Sequence, residues 1–391
     1  MKTLTILGST GSIGQQALEV VKNNKRKFKV IGLSCNNNLD LFLKQYIEFK
    51  PKYVAIANSD LAKEFKSIIK DNDVQVFSSF NGILELSKVK VDILLHAVVG
   101  FAGMNILINA LDYQKNIALA NKESIVCAGK YIMSLVREKG VNIYPVDSEH
   151  SAIWKCLGYN LNKKHKRILI TASGGAFRDL NRQDLEKVTY KDAIKHPTWV
   201  MGEKITVDSA TLMNKGFEVI EAIHLFNTTI DKIEVVIHKE SIIHSMVEYD
   251  DNTIIAELSY PNMKIPIQTA LMYPKKYCKN QLKSIDFVAL GKLTFEKPNL
   301  EKNKCLAIAL KAAKLSGLMP CVLCVANDIL VEYFKEGVIK FTEIAKYIEI
   351  IVEKLKSQNI IDYTLEDLHE IIALTKSAVK ELVENEKKNF N

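Results

Sequence analysis

The sequence predicts an α/β protein that opens on a doubly wound parallel sheet, and three observations predict it. Short apolar runs alternate with helical patterns over roughly the first 150 residues, the signature of strands joined by crossover helices. The first run, Leu4-Thr5-Ile6-Leu7, passes directly into the glycine-rich turn Gly8-Ser9-Thr10-Gly11-Ser12-Ile13-Gly14. From about residue 165 the texture changes to closely spaced strands, and beyond about residue 303 to helices alone.

The opening turn precedes a helical pattern carried by Ala17, Leu18, Val20 and Val21. Glycines at 8, 11 and 14 allow a tight turn, close approach of backbone to phosphate, and close helix packing. A helix N-terminus there presents amide donors and the positive end of the helix dipole to a pyrophosphate. The second strand, Lys29 to Leu33, ends in Ser34-Cys35-Asn36-Asn37-Asn38. No acid stands where an NAD site usually binds the ribose, which favours a 2′-phosphate and NADP; an ordinary polar loop is the alternative. Further strands are expected at Tyr53–Ile56, Val74–Phe77, Asp92–Leu95 and Asn116–Ala120. Ligands of such sheets sit beyond the carboxyl ends of strands. The loops Val99–Gly103 and Asn121–Ser124 are therefore candidates, with Lys122 either a ligand contact or a solvated lysine.

The densest chemistry lies in Pro145-Val146-Asp147-Ser148-Glu149-His150-Ser151-Ala152-Ile153, between a strand over Asn142–Val146 and a helix expected to start near Ala152. Two carboxylates one residue apart at a strand-to-helix turn suit a hard divalent cation; a helix start with an N-cap serine and dipole-favoured acids is the plain alternative. Arg167–Thr171 follows as a strand, then the small-residue turn Ala172-Ser173-Gly174-Gly175-Ala176. His196-Pro197-Thr198-Trp199-Val200-Met201-Gly202 is either a water-excluding lid or a plain aromatic anchor. In Val207–Glu218, Ser209, Asn214 and Lys215 offer hydroxyl, amide and ammonium donors suited to a phosphate. Lys215, Glu218 and Glu221 share a helical face, and Glu218 could add a third carboxylate to Asp147 and Glu149; a solvated Lys–Glu pair is the alternative. Lys215 is expected to be partly exposed, its contact screened by salt. Strands at Ile233–His238, Ser245–Tyr249 and Thr253–Leu258 are expected to pair antiparallel, with His238 and His244 structural. A linker rich in Pro, Lys and Asn leads to helical spacings such as Leu306-Leu310-Ala313. Cys321 and Cys324 read as two buried thiols, without a second pair or redox context.

Composition narrows the function class. Of 391 residues, 48% are hydrophobic and 25% charged, as in an ordinary globular protein. The net charge of +8 comes mostly from scattered lysines, with no basic block interleaved with aromatics, so nucleic-acid binding is not indicated. A mild positive balance helps draw an anionic small substrate. Seven scattered cysteines fit a reducing compartment. Met1-Lys2-Thr3 runs straight into a strand and no apolar run reaches ~18 residues, so a cytoplasmic protein without membrane attachment is expected.

These motifs, in this order, resemble the 1-deoxy-D-xylulose-5-phosphate reductoisomerase family of the non-mevalonate isoprenoid pathway. The stretches that carry the resemblance are Gly8–Gly14, Ala118–Ser124, Pro145–Ile153, Ser173–Gly175, His196–Gly202 and Val207–Glu218. It implies a Rossmann-like NADPH-binding domain over 1–149, a central α+β catalytic and dimerisation domain with a flap over 150–275, a linker over 276–302, and a C-terminal helical domain over 303–391. Asp147, Glu149 and Glu218 would bind one Mg²⁺ or Mn²⁺ per subunit. Lys122, Glu149 and His196 would be catalytic. The substrate would be held by Lys122, Ser148, Glu149, Ser173, His196, Ser209, Asn214, Lys215 and Glu218, with Trp199 and Met201 closing over it. Gly8, Thr10, Gly11, Ser12, Ile13, Asn37, Asn38, Asn121, Glu123 and Gly202 would line the NADPH site. The implied activity converts 1-deoxy-D-xylulose 5-phosphate to 2-C-methyl-D-erythritol 4-phosphate in a homodimer. A metal-independent NADP-dependent semialdehyde or homoserine dehydrogenase, which would not need the acid pair, and a non-catalytic nucleotide sensor are the alternatives.

Many members of that family carry Gly-Lys-Asn where this chain has Asn36-Asn37-Asn38. Neutral amides reach a phosphate without charge, and charge-assisted contacts are about twice as strong. Asn37→Lys is therefore expected to tighten NADPH binding and leave NADH nearly unchanged, and Asn37→Asp to weaken NADPH. Fluorescence titration of both cofactors checks this; a ratio that neither substitution moves would remove the loop from the 2′-phosphate site.

Overall fold

The computed structural model describes residues 1–69, 71, 73–199 and 201–390, and its contacts divide the chain into two compact units. The first comprises Met1–Ser124, Ile132–Ser151 and Met263–Gln281; the second comprises Ile125–Tyr131, Ala152–Asn262 and Leu282–Asn391.

The first unit is built on a seven-stranded sheet: β1 (Lys2–Leu7), β2 (Phe28–Cys35), β3 (Tyr53–Ile56), β4 (Gln75–Ser78), β5 (Ile93–His96), β6 (Asn116–Leu119) and β7 (Asn142–Pro145). Their order in space is β4-β3-β2-β1-β5-β6-β7, every pairing parallel. The order reverses direction at β1, which opens a crevice beyond the carboxyl ends of β1 and β5, where sheets of this class take their ligands. Apolar residues on β1, β3, β5 and β6 are almost wholly buried, so the sheet centre is the core. Gly14 shows why the first turn needs glycine: a Cβ there would lie 2.3 Å from the Gly8 carbonyl oxygen. The helix Lys264–Met272 returns to this unit and packs on the helix Ser12–Lys22, with Lys264 paired to Glu19.

The second unit holds a four-stranded sheet of β8 (Arg167–Ala172), β9 (Ile233–Ile237), β10 (Ile243–Glu248) and β11 (Ile254–Leu258), ordered β11-β10-β8-β9. The antiparallel expectation holds for β10 with β11, and β10 also runs antiparallel to β8. It fails for β9, which runs parallel to β8. The long helical crossover between β8 and β9 returns the chain in the same direction, and β8 lies between β9 and β10, so the short turn after β9 does not form a hairpin. Beyond residue 303 the same unit contains, among the described residues, four long helices, Lys304–Leu315, Met319–Lys335, Phe341–Leu355 and Leu365–Phe390. Their facing sides bury residues such as Leu306, Val325, Ile348 and Leu368, as the helical spacing predicts. Cys321 and Cys324 are fully buried among them, and none of the seven cysteines is in a disulfide.

Candidate functional site

In the first unit, the parallel pairing of β6 and β7 places two loops side by side. Leu119 lies opposite Pro145, and the Val146 amide donates to the Leu119 carbonyl at 2.9 Å. Both chains then turn off the same carboxyl edge, one into Lys122 and the other into Asp147. The two side chains form an ion pair, and each is more than nine-tenths buried. Lys122 is therefore not the solvated lysine of the plain alternative. Burial pushes the Asp147 carboxyl up, but the Lys122 ammonium and the neighbouring His150 pull harder and hold it well below the usual carboxylate range. His150, 3.9 Å from Asp147, is a site residue that the sequence reading passed over, although it stands three residues on in the same run.

The helix after β7 begins at Ser148, four residues earlier than expected, and spans Ser148–Cys156. Proline at 145 ends the strand, and Ser148 with Glu149 in the first turn suits a helix start. Ser148 donates its hydroxyl to Glu149 at 2.6 Å. Asn121 caps the helix Lys122–Lys139 by accepting from the Ser124 amide, and its own amide donates to the Gly100 carbonyl at 2.9 Å and to Glu123 at 3.0 Å. It thus ties the two candidate loops together.

The glycine-rich turn opens the helix Ser12–Lys22, whose cap Gly11 contributes no side chain and whose first turn holds no acid, leaving a favourable place for an anion. At the end of β2, Asn36 and Asn37 are exposed, while Asn38 is already used as a helix cap, accepting from the Leu41 amide at 3.1 Å.

In the second unit, three elements carry the residues of a candidate phosphate cradle. Ser173 follows directly on β8; Ser209 lies in the last turn of the helix Glu203–Ala210; Asn214 and Lys215 open the helix Met213–Leu225. The two helices meet at a sharp corner on Leu212, whose φ of 59° is the left-handed conformation that costs a branched residue about 1–2 kcal/mol. Gly175 lets the serine loop close against Ser209: a Cβ at 175 would lie 2.3 Å from the Ser209 carbonyl oxygen. Lys215 is 3% exposed and Glu218 is 1% exposed. That corrects the expectation of a partly exposed, salt-screened lysine, because the helix carrying it is buried on nearly every side. Lys215 pairs with Glu218, which also accepts from the Asn214 amide at 2.5 Å.

His196 stands beside Ser173 of this candidate cradle. Its Nδ1 accepts from the amides of Thr198 and Trp199 at 3.1 and 2.9 Å, so its hydrogen resides on Nε2, 3.1 Å from the Ser173 hydroxyl. Burial, with the positive charge of Arg178 nearby, lowers its pKa to about 4. Arg178 also donates to the Ser173 carbonyl at 2.9 Å; five residues past Ser173, it had no motif to mark it. Trp199 is half-buried, edge-on to His244 with ring centres 5.8 Å apart. Met201 is half-buried and Gly202 exposed, while Val200 lies outside the described residues. His238 has both ring nitrogens engaged with backbone, at Thr294 and at Ile242 and Ile243, which suits its structural reading.

Three family models cover the chain: 1-deoxy-D-xylulose 5-phosphate reductoisomerase over residues 4–129, its C-terminal domain over 143–226, and the DXP reductoisomerase C-terminal domain over 258–380. A curated 1-deoxy-D-xylulose 5-phosphate reductoisomerase of Caldanaerobacter subterraneus is 49% identical over 94% of this chain and 96% of its own length. The chain belongs to the 1-deoxy-D-xylulose 5-phosphate reductoisomerase family. The family's enzyme from Ruminiclostridium cellulolyticum is 45% identical over 98% of this chain and 99% of its own. Among solved structures, a DOX-P reductoisomerase in complex with NADPH, fosmidomycin and magnesium superposes with a TM-score of 0.92 at 34% identity, covering 99% of each chain. The family's Zymomonas mobilis enzyme in complex with NADPH gives 0.88 at 36% identity, covering 98% of this chain and 99% of that one. Membership removes the dehydrogenase and nucleotide-sensor alternatives.

The buried histidines carry a pH prediction. His96, His196 and His224 are each lowered to about 4, chiefly by burial. Unfolded histidine binds its proton near pH 6.5, so between about 6.5 and 4 protons favour the unfolded chain. Stability is expected to be fully present above that window and to fall as the pH drops through it. Denaturant unfolding at pH 7 and pH 5 checks this, and His196→Gln should make the loss shallower.

Proposed function

We infer that this protein converts 1-deoxy-D-xylulose 5-phosphate to 2-C-methyl-D-erythritol 4-phosphate, using NADPH and a divalent cation, in isoprenoid biosynthesis. The family match over nearly the whole chain carries this reading. The cradle of Ser173, Ser209, Asn214 and Lys215 supports its substrate class: two hydroxyls, an amide and a buried ammonium suit a sugar phosphate.

Mg²⁺ or Mn²⁺, one ion per subunit, would take Asp147, Glu149 and Glu218 as ligands. Their donor chemistry fits, since all three offer hard carboxylate oxygens and Asp147 is held ionised. When bound, the ion would act as a Lewis acid on the substrate's ketone and adjacent hydroxyl, and NADPH would supply the hydride. Lys122 and Ser148 would orient the sugar chain. His196, neutral with its hydrogen on Nε2, would donate to the phosphate without adding charge. Trp199 and Met201 would close over the substrate and exclude water from the reactive intermediates. Gly8, Thr10, Gly11, Ser12 and Ile13 would hold the NADPH pyrophosphate, with Asn37, Asn38, Asn121, Glu123 and Gly202 lining the remainder.

By the same family reading, residues 1–149 serve NADPH binding, 150–275 catalysis and dimerisation, 276–302 linkage, and 303–391 form the helical portion. We place the enzyme in the cytoplasm as a homodimer. Cysteines outside any disulfide suit a reducing compartment, and no helix among the described residues is long and apolar enough to cross a membrane.

The test is NADPH consumption with 1-deoxy-D-xylulose 5-phosphate, with Mn²⁺ and after chelation. Turnover is expected with the ion and not without it. Glu149→Gln is expected to lower turnover by more than about a hundredfold while NADPH binding and Tm stay close to those of the parent. Equal rates after chelation, or a Glu149→Gln enzyme at parental rate, would overturn the metal assignment.

A further inference from the structure

The helix Glu203–Ala210 links the two parts of the candidate substrate site in the second unit. It begins directly after Gly202, the end of the flap segment, and carries Ser209 in its last turn. Next to that serine stands Asp208, which is 2% exposed. An acid in the last turn of a helix opposes the helix dipole, and a buried carboxylate beside an anion cradle repels the anion. Local stability therefore gives no reason for an aspartate there.

A buried network accounts for it. Lys204, one turn earlier on the same helix, lies 2.6 Å from Asp208 and 2.7 Å from Asp328 on the helix Met319–Lys335. The amide of Asn327, wholly buried on that same helix, donates to the other Asp208 oxygen at 2.8 Å. The Lys204 ammonium also stands 5.1 Å from the Phe217 ring centre, over its face. Among the described residues the Asn327 side-chain oxygen accepts no hydrogen bond, while its amide satisfies a buried carboxylate oxygen that would otherwise stay without a donor on that side. What the asparagine supplies is a fixed direction for the Asp208 carboxylate.

We propose that Asp208, clamped by Lys204 and Asn327, is a positioning residue for the substrate phosphate: it fixes the last turn of its helix, and with it the Ser209 hydroxyl. The proposal rests on the reading of Ser209 as a phosphate donor. It gives the C-terminal helices a part in substrate affinity without any of their residues touching substrate.

The experiment uses the full-length enzyme with Asn327→Leu, which removes the clamp while keeping the side-chain branching. KM for 1-deoxy-D-xylulose 5-phosphate is expected to rise about tenfold, the worth of one displaced charge-assisted hydrogen bond. The inhibition constant of inorganic phosphate should rise in parallel, with kcat within about twofold and KM for NADPH unchanged. Asp208→Asn, which keeps the shape, is expected to show the same split and serves if Asn327→Leu does not fold. Combining Asn327→Leu with Ser209→Ala should add little to Ser209→Ala alone, because both act through one hydroxyl. An unchanged substrate KM in a folded clamp variant, a loss shared equally by kcat and both KM values, or fully additive effects with Ser209→Ala would overturn the proposal. If Ser209→Ala by itself leaves KM and phosphate inhibition unchanged, it is the phosphate reading of the cradle that fails.

Discussion

Two buried lysine–carboxylate pairs set the terms for the candidate site. Lys122 with Asp147 and Lys215 with Glu218 are each nearly excluded from water. Taking charges out of water costs several kcal/mol per ion, and mutual attraction only offsets that when the geometry is held. The fold holds it in two different ways. In the first unit, parallel strands β6 and β7 deliver the partners from adjacent loops. In the second, both partners sit one turn apart on a single helix, entered through the strained corner at Leu212. Each pair joins a carboxylate proposed as a metal ligand to a lysine proposed to meet the substrate. A core designed for stability alone would fill such positions with apolar side chains.

Much of this architecture was legible in the sequence because its signals are local. The parallel sheet followed from strand-helix alternation, and Tyr53–Ile56 was placed to the residue. The four C-terminal helices followed from apolar spacing. What could not be read depends on tertiary neighbours. The parallel pairing of β9 with β8 is set by a crossover of about sixty residues, which no short-range pattern encodes. The return of Met263–Gln281 to the first unit carries no sequence mark either.

The site was legible as residue types in clusters and illegible as burial. Asp147, Glu149, Ser173, Ser209, Asn214 and Lys215 stood out as candidates because hydroxyls, amides and acids crowd the turns that carry them. Lys215 was misjudged as partly exposed, since a Lys–Glu spacing of three reads the same on a solvated helix as on a buried one. His150, Arg178 and the Lys204–Asp208–Asn327 network were missed for a related reason. Their roles are to hold other side chains, and such roles appear only once distances are known.

The central claim is that these buried charges are retained for chemistry and cost the fold stability. The measurement that tests it most directly is the unfolding free energy and turnover of the double variant Lys215→Met/Glu218→Leu, each determined on the full-length enzyme. The account predicts a stability equal to or above the parent's, together with lost turnover, because apolar replacement of a buried pair is neutral or stabilising by about 1–4 kcal/mol. A folded double variant that still turns over, or one destabilised by about 3 kcal/mol or more, would contradict it.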